Sequence, residues 1–118
     1  MTQAGATSLM RQAKKNPPAA IPAQSYRANL SDAIESFVET AKDAGTDSAS
    51  LKRALETVTP ANSENQAVPT RVVQTTFGER KAWTIVQNWN RPGQPLTHVK
   101  VWVLAVEDQT LLYAASEL

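Results

Sequence analysis

The sequence predicts an α+β fold, in which a helical N-terminal half packs on a four-stranded antiparallel sheet formed by the C-terminal half. Apolar residues recur at helical spacing up to residue 58, whereas from residue 70 they alternate with polar residues, as in half-buried strands. The predicted helices all precede the predicted strands, and this order favours segregated layers over alternating βα units. The chain of 118 residues is long enough for one domain with a modest core.

Residues 1–28 are expected to form a basic, proline-containing arm or linker ahead of a single domain that spans residues 29–118. A helix within residues 1–16 would be marginal on its own, because it offers little apolar surface. Three prolines follow in the stretch NPPAAIPAQ and favour extended chain. Residues 1–31 carry four basic side chains and no acidic one, so we expect a docking strap that becomes ordered on assembly.

Two helices are predicted, at about residues 30–44 and 48–58. Apolar residues form one stripe on each helix: Leu30, Ala33, Ile34, Phe37, Val38 and Ala41 on the first, and Leu51, Ala54, Leu55 and Val58 on the second. Gly45 is expected to end the first helix in the left-handed conformation. Thr46 or Asp47 is expected to cap the second.

Four strands are predicted, at about residues 70–77, 81–89, 97–106 and 110–115. These segments are rich in valine, threonine and aromatic residues, and turn residues bound each of them. The connections GER and EDQ are short, whereas NRPGQPL is longer and contains a Pro-Gly pair. Three successive hairpins therefore predict a β-meander.

Alternation along the strands predicts that the two faces of the sheet differ. On the third strand, one set of alternate residues is small and aliphatic: Val99, Val101, Val103 and Ala105. We expect this set to lie under the two helices together with Trp83, because tryptophan commonly fills the core of a small sheet. Trp102 and Lys100 are then expected on the opposite face, which another molecule is left to cover.

The leading functional hypothesis is a non-enzymatic protein–protein interaction module, an accessory or structural component of a larger assembly. Tryptophan, tyrosine and arginine are the residue types enriched in interface hot spots. The expected contact residues lie on the exposed sheet face and in the 89–95 loop: Trp89, Arg91, His98, Lys100, Trp102 and Tyr113. The expected partner is another protein or a second copy of the chain.

Nucleic-acid binding is the second hypothesis. Residues 41–55 have the outline of a helix-turn-helix, with a small residue at Ala41, a turn at Gly45 and an apolar anchor at Leu51. The candidate contacts are Arg11, Lys14, Lys15, Ser48, Ser50, Lys52 and Arg53. The acidic side chains of the first helix would repel phosphates, which makes this hypothesis the weaker one. A small-molecule pocket between sheet and helices, lined by Trp83 and Phe37, is a third possibility.

Composition argues against several other classes of protein. The chain has no cysteine, which excludes disulfides, thiolate metal sites and a cysteine nucleophile. His98 is the only histidine, and neither a Gly-x-Ser-x-Gly elbow nor a phosphate-binding glycine loop is present. We therefore expect no enzymatic activity, no metal and no other cofactor. With no apolar run of membrane-spanning length and no signal-peptide pattern, we expect a cytoplasmic protein without a membrane partner.

Overall fold

The computed structural model describes residues 3–15, 17–58 and 65–117. The predicted α+β fold with a four-stranded antiparallel meander is confirmed, with the strands in the spatial order β1-β2-β3-β4. A short 3-10 turn, Ala23–Ser25, precedes the second helix. The elements are α1 (Gln3–Lys15), α2 (Tyr26–Asp43), α3 (Ser48–Val58), β1 (Gln66–Phe77), β2 (Arg80–Asn90), β3 (His98–Ala105) and β4 (Leu111–Glu117).

Two elements begin earlier in the chain than predicted. Helix α2 begins at Tyr26, inside the predicted arm, because the tyrosine ring is buried and extends the apolar stripe by one turn. Strand β1 begins at Gln66 rather than near residue 70, so Pro69 lies inside it. Proline is tolerated there because β1 is an edge strand, and the pairing register shifts next to it, between Pro69 and Arg71.

Helices α2 and α3 form a helical hairpin on one face of the sheet. Gly45 ends α2 with a φ of +76°, the left-handed conformation that the sequence predicts. The carboxylate of Asp47 accepts a hydrogen bond from the Ser50 amide at 3.0 Å and caps α3. The hairpin packs over a core cluster of the sheet that includes Trp83 and Leu104.

The sheet is covered on its other face by α1. Met10 is buried against a second core cluster that includes Val86 and Val101. The Nδ2 atom of Asn88 donates a hydrogen bond to the Ala13 carbonyl at 3.2 Å, which ties the end of α1 to β2. Neither face of the sheet is therefore free of helix, and the N-terminal basic segment contributes directly to the core.

The expected faces of β3 are wrong. Strands β2 and β3 pair so that Ile85 lies opposite Trp102 and Val86 lies opposite Val101. Residues directly opposite each other share a face. Trp102 therefore lies on the face of the helical hairpin, together with Trp83, and the valines of β3 lie under α1. The prediction failed because only one helical layer was expected, whereas α1 covers the valines and the hairpin covers the set with Trp102 and Leu104.

A buried polar contact joins α3 to the sheet. The hydroxyl of Ser50 donates to the carbonyl of Val106 and accepts a hydrogen bond from Nε1 of Trp83 at 3.1 Å. Both Ser50 and Trp83 are buried. The indole N–H thus has an acceptor inside the core, as a buried donor requires.

Tyr26 closes part of the edge of β1. Its hydroxyl donates to the Ala67 carbonyl at 2.8 Å and accepts from the Ala67 amide at 2.9 Å. Its ring packs against Val68 and the fully buried Leu96. The Leu96 amide in turn donates to the Pro18 carbonyl at 2.9 Å, so the proline-containing segment is fixed to the loop before β3.

Replacement of Tyr26 by phenylalanine is expected to lower the free energy of unfolding by about 1–3 kcal/mol, because both backbone groups of Ala67 lose their partner. Urea unfolding followed by circular dichroism measures this change. Tyr113→Phe is the matched control, since it keeps the ring that stacks on Phe77, and we expect it to change stability by less than about 0.5 kcal/mol. Equal losses in the two variants would contradict the role given to the Tyr26 hydroxyl.

Candidate interaction surface

Aromatic and basic side chains lie together where β2 ends and β3 begins. Trp89 and His98 are directly opposite each other, and their rings stack with centroids 4.6 Å apart and planes inclined by 29°. Further along β3, the Nζ atom of Lys100 lies 4.1 Å from the ring centroid of Trp102, a cation–π contact. All four side chains are half-buried. We call Trp89, His98, Lys100 and Trp102 the aromatic–cationic patch.

The buried amide of Gln87 marks the border between the patch and the helical hairpin. Its Oε1 atom accepts a hydrogen bond from Nε1 of Trp102 at 2.8 Å, and its Nε2 atom donates to the carbonyl of Val58 at 3.0 Å. Val58 is the last residue of α3. The Trp102 ring is therefore held at a fixed position relative to the end of α3, with one part in the core and another at the surface.

The loop after β2 is braced by side-chain hydrogen bonds. Asn90 accepts from the Arg91 amide at 2.8 Å through Oδ1 and donates to the Pro95 carbonyl at 2.8 Å through Nδ2. Leu96 anchors the end of the loop in the core. The exposed Arg91 thus sits at the start of a constrained loop next to Trp89.

Trp89 carries a buried donor. Its Nε1 atom is inaccessible to solvent and has no hydrogen-bond partner among the described residues. Leaving a buried N–H unpaired costs about 1–3 kcal/mol, so it is uncommon in native structures. The cost is carried by the same tryptophan that stacks on His98, at the end of the patch nearest the loop.

The patch lies on strands β2 and β3, which contain no acidic residue, although Glu117 at the end of the neighbouring strand β4 pairs with Val99. No acidic residue occurs between Arg80 and Val106, a segment that contains four basic residues and the histidine. The acids of the β3–β4 turn lie at the opposite end of the sheet. There the Thr110 hydroxyl and amide, and after them Arg80, hold the pKa of Asp108 below its ordinary value. Asp108 is engaged locally, at the end of the sheet away from the patch.

Tyr113 does not belong to the patch. It lies opposite Val103, on the face of α1, where its ring stacks on Phe77 with centroids 6.0 Å apart. The β4 residues on the patch face are Ala114, opposite Trp102, and Ser116, opposite Lys100. Both are exposed, and sequence reasoning missed them because small side chains carry no recognition signal of their own. Only the strand register reveals their position.

The residues of the nucleic-acid hypothesis are scattered. Ser50 is buried against the sheet, so its side chain does not reach the outer surface of α3. Lys52 is exposed, as are Arg53 and the three basic residues Arg11, Lys14 and Lys15. Those three residues lie on α1, across the sheet from Ser48 and the rest of α3. Lys52 lines a surface groove between α2 and α3 together with acidic residues: Asp32, Glu35, Glu39 and Glu56.

The structure also locates the residues of the proposed small-molecule pocket. Trp83 is buried, and Phe37 packs against the same core cluster, so these side chains fill the space between sheet and hairpin. In residues 3–15, 17–58 and 65–117, no three His, Cys, Asp or Glu side chains are grouped closely enough to hold a metal ion. Every helix in the same ranges is too short or too polar to cross a membrane.

Comparisons of the chain with protein-family models, with curated proteins and with solved structures found no match.

Gln87→Met is expected to lower the free energy of unfolding by about 1–3 kcal/mol, since the substitution keeps the volume but removes the partners of Trp102 and Val58. The indole N–H resonance of Trp102 should also shift and exchange faster with solvent. Gln74→Met is the matched control, because Gln74 is exposed on β1 and should tolerate the change within about 0.5 kcal/mol. An unchanged Trp102 resonance in Gln87→Met would contradict the role of the bridging amide.

Proposed function

We propose that the protein is a non-enzymatic interaction module that binds a protein partner through the aromatic–cationic patch and Arg91. The observation that carries this proposal is the position of Trp102, whose ring is held by Gln87 on one side and contacts Lys100 on the other. Tryptophan and arginine dominate binding energy in protein interfaces, above all where the side chain is already ordered before binding.

The contacts of Trp102 favour a role in binding for the exposed part of its ring, over a purely structural role. The part of Trp102 that fills the core is satisfied by the Gln87 amide and by neighbours under the helical hairpin. The Nζ atom of Lys100 lies over the Trp102 ring at the end of a flexible side chain, which a partner can displace or incorporate. A rigid aromatic ring with an adjustable cation beside it suits recognition of another polypeptide.

We further propose that the module acts as an accessory or structural component of a larger assembly and that it does so in the cytoplasm. The sheet is covered by helices on both faces and its 89–95 loop is constrained, so the protein resembles a rigid scaffold. Such a scaffold would present the aromatic–cationic patch to its partner. The absence of cysteine favours a reducing compartment.

The proposal is tested on the full chain with a partner that has been identified and purified. Photo-crosslinking from position 91 in cells, followed by mass spectrometry, identifies the partner, and calorimetry measures its affinity. We expect Trp102→Ala and Trp89→Ala to weaken binding at least tenfold, about 1.4 kcal/mol or more, because each removes an aromatic anchor. Lys100→Glu should weaken it comparably without disturbing the core.

Leu111→Ala is the control for loss of exposed apolar surface. Among the described residues, Leu111 is an exposed large apolar side chain; it lies opposite Leu104 and is not one of the four patch residues. It should bind within twofold of the wild type. Wild-type affinity in Lys100→Glu and in both tryptophan variants, each with an unchanged circular dichroism spectrum, would overturn the proposal.

A further inference from the structure

The two outer strands of the sheet differ in how well they are protected from pairing with another strand. On β1, the Tyr26 hydroxyl occupies both backbone groups of Ala67, Pro69 has no amide hydrogen, and α2 packs alongside. The register shift next to Pro69 also bends this edge. Proline, bulges and covering elements are the usual means by which proteins block an exposed edge strand.

Strand β4 carries little of this protection. It is the last strand of the sheet, and its outer edge makes no backbone hydrogen bond to another element within the described residues. From Leu111 to Ser116 it contains no charged residue and no proline. A bulge at Leu112 interrupts only its start, and the stretch from Tyr113 to Glu117 pairs regularly with β3. Its outer N–H and C=O groups are suited to receive a further strand.

The patch lies one strand inward from this edge. Ala114 and Ser116 are the β4 residues opposite Trp102 and Lys100, and both are small and exposed. Neighbouring strands are about 4.8 Å apart, so a strand added to β4 runs roughly 10 Å from β3. Because only a methyl and a hydroxymethyl group intervene, long side chains of an added strand can cross β4 and contact Trp102 and Lys100.

The charge of the patch indicates which segment would bind. Lys100, His98 and Arg91 lie at this end of the sheet, in a segment from Arg80 to Val106 without acidic residues, and Glu117 at the end of β4 pairs with Val99 rather than with Lys100. Alternate residues of an extended segment point to one face, so glutamate or aspartate at every second position would all face these groups. A basic segment would meet like charge, which disfavours its association.

We infer that the patch recognises an acidic, extended stretch of polypeptide, which adds to β4 as a fifth strand and directs alternate carboxylates toward Lys100. This inference rests on the proposed function, because it names the partner of the same surface. Backbone hydrogen bonds to β4 supply affinity, and contacts with Trp102, Lys100 and His98 select the acidic side chains.

The test selects binders to the full chain from a displayed library of random twelve-residue peptides. Enriched peptides should carry aspartate or glutamate at alternate positions, and Lys100→Glu should weaken their binding at least tenfold by fluorescence polarisation. Lys15→Glu makes the same charge change at an exposed site on α1 and should leave affinity within twofold. Amide hydrogen exchange should slow in residues 113–117 on binding and stay unchanged in β1.

A proline variant tests the strand addition itself. The position is chosen by amide hydrogen exchange in the free protein. Of Ala114 and Ala115, the residue whose amide exchanges faster has its N–H directed outward from the sheet. Proline at that position removes one hydrogen-bond donor from the edge of β4. This variant should bind selected peptides at least tenfold more weakly, whereas serine at the same position should bind normally. The inference would be overturned if the selected peptides were not enriched in acidic residues, or if the proline variant bound them with unchanged affinity.

The outcomes also separate this inference from the proposed function. If a purified protein partner does not bind Trp102→Ala but binds the proline variant with normal affinity, the proposed interaction function is supported and strand addition to β4 is contradicted. If protection of β4 rises with protein concentration in the absence of peptide, a second copy occupies the edge, and the inference of an acidic partner segment fails.

Discussion

The pairing of β2 with β3 is the constraint on which the arrangement of the molecule depends. Side chains alternate between the faces of a sheet, so a shift of one residue would move Trp102 from the helical hairpin to the α1 face. Gln87 of β2 accepts a hydrogen bond from Trp102 of β3, and a shifted register would leave this buried amide oxygen without that partner. The buried Thr84 and Asn88 tie β2 to β1 and to the loop before β3.

Strand β2 is buried on both faces. This explains why the sequence predicted the fold correctly but not which side chains of β3 lie on which face of the sheet. The change of period between residues 58 and 70, together with Gly45 and the turn residues, marks most of the helix and strand boundaries. An alternating pattern indicates a buried face only where the other set is polar, and on β3 the set with His98 and Lys100 also contains the apolar Trp102 and Leu104. The stretch AWTIV of β2, which has apolar residues in both alternate sets, was the available signal for a sheet covered on both sides.

The second helical layer was hard to predict because α1 is a weak helix by its own sequence. Its apolar surface is limited to residues such as Leu9, Met10 and Ala13, and tertiary packing on the sheet supplies the rest of its stability. The candidate site was predicted in part for a similar reason. Trp89, His98, Lys100 and Trp102 stand out by residue type, whereas the bulge in β4 and the positions of Ala114 and Ser116 depend on register.

The bridge from Trp102 through Gln87 to Val58 joins the candidate surface to the last turn of α3. A molecule that shifts the Trp102 ring acts on the Gln87 amide, which also donates to the Val58 carbonyl. By thermodynamic linkage, any coupling free energy between the patch and the end of α3 acts equally in both directions. If binding at Trp102 alters a contact at the end of α3, that contact alters the affinity at Trp102 by the same factor, and occupancy of one surface is then sensed at the other.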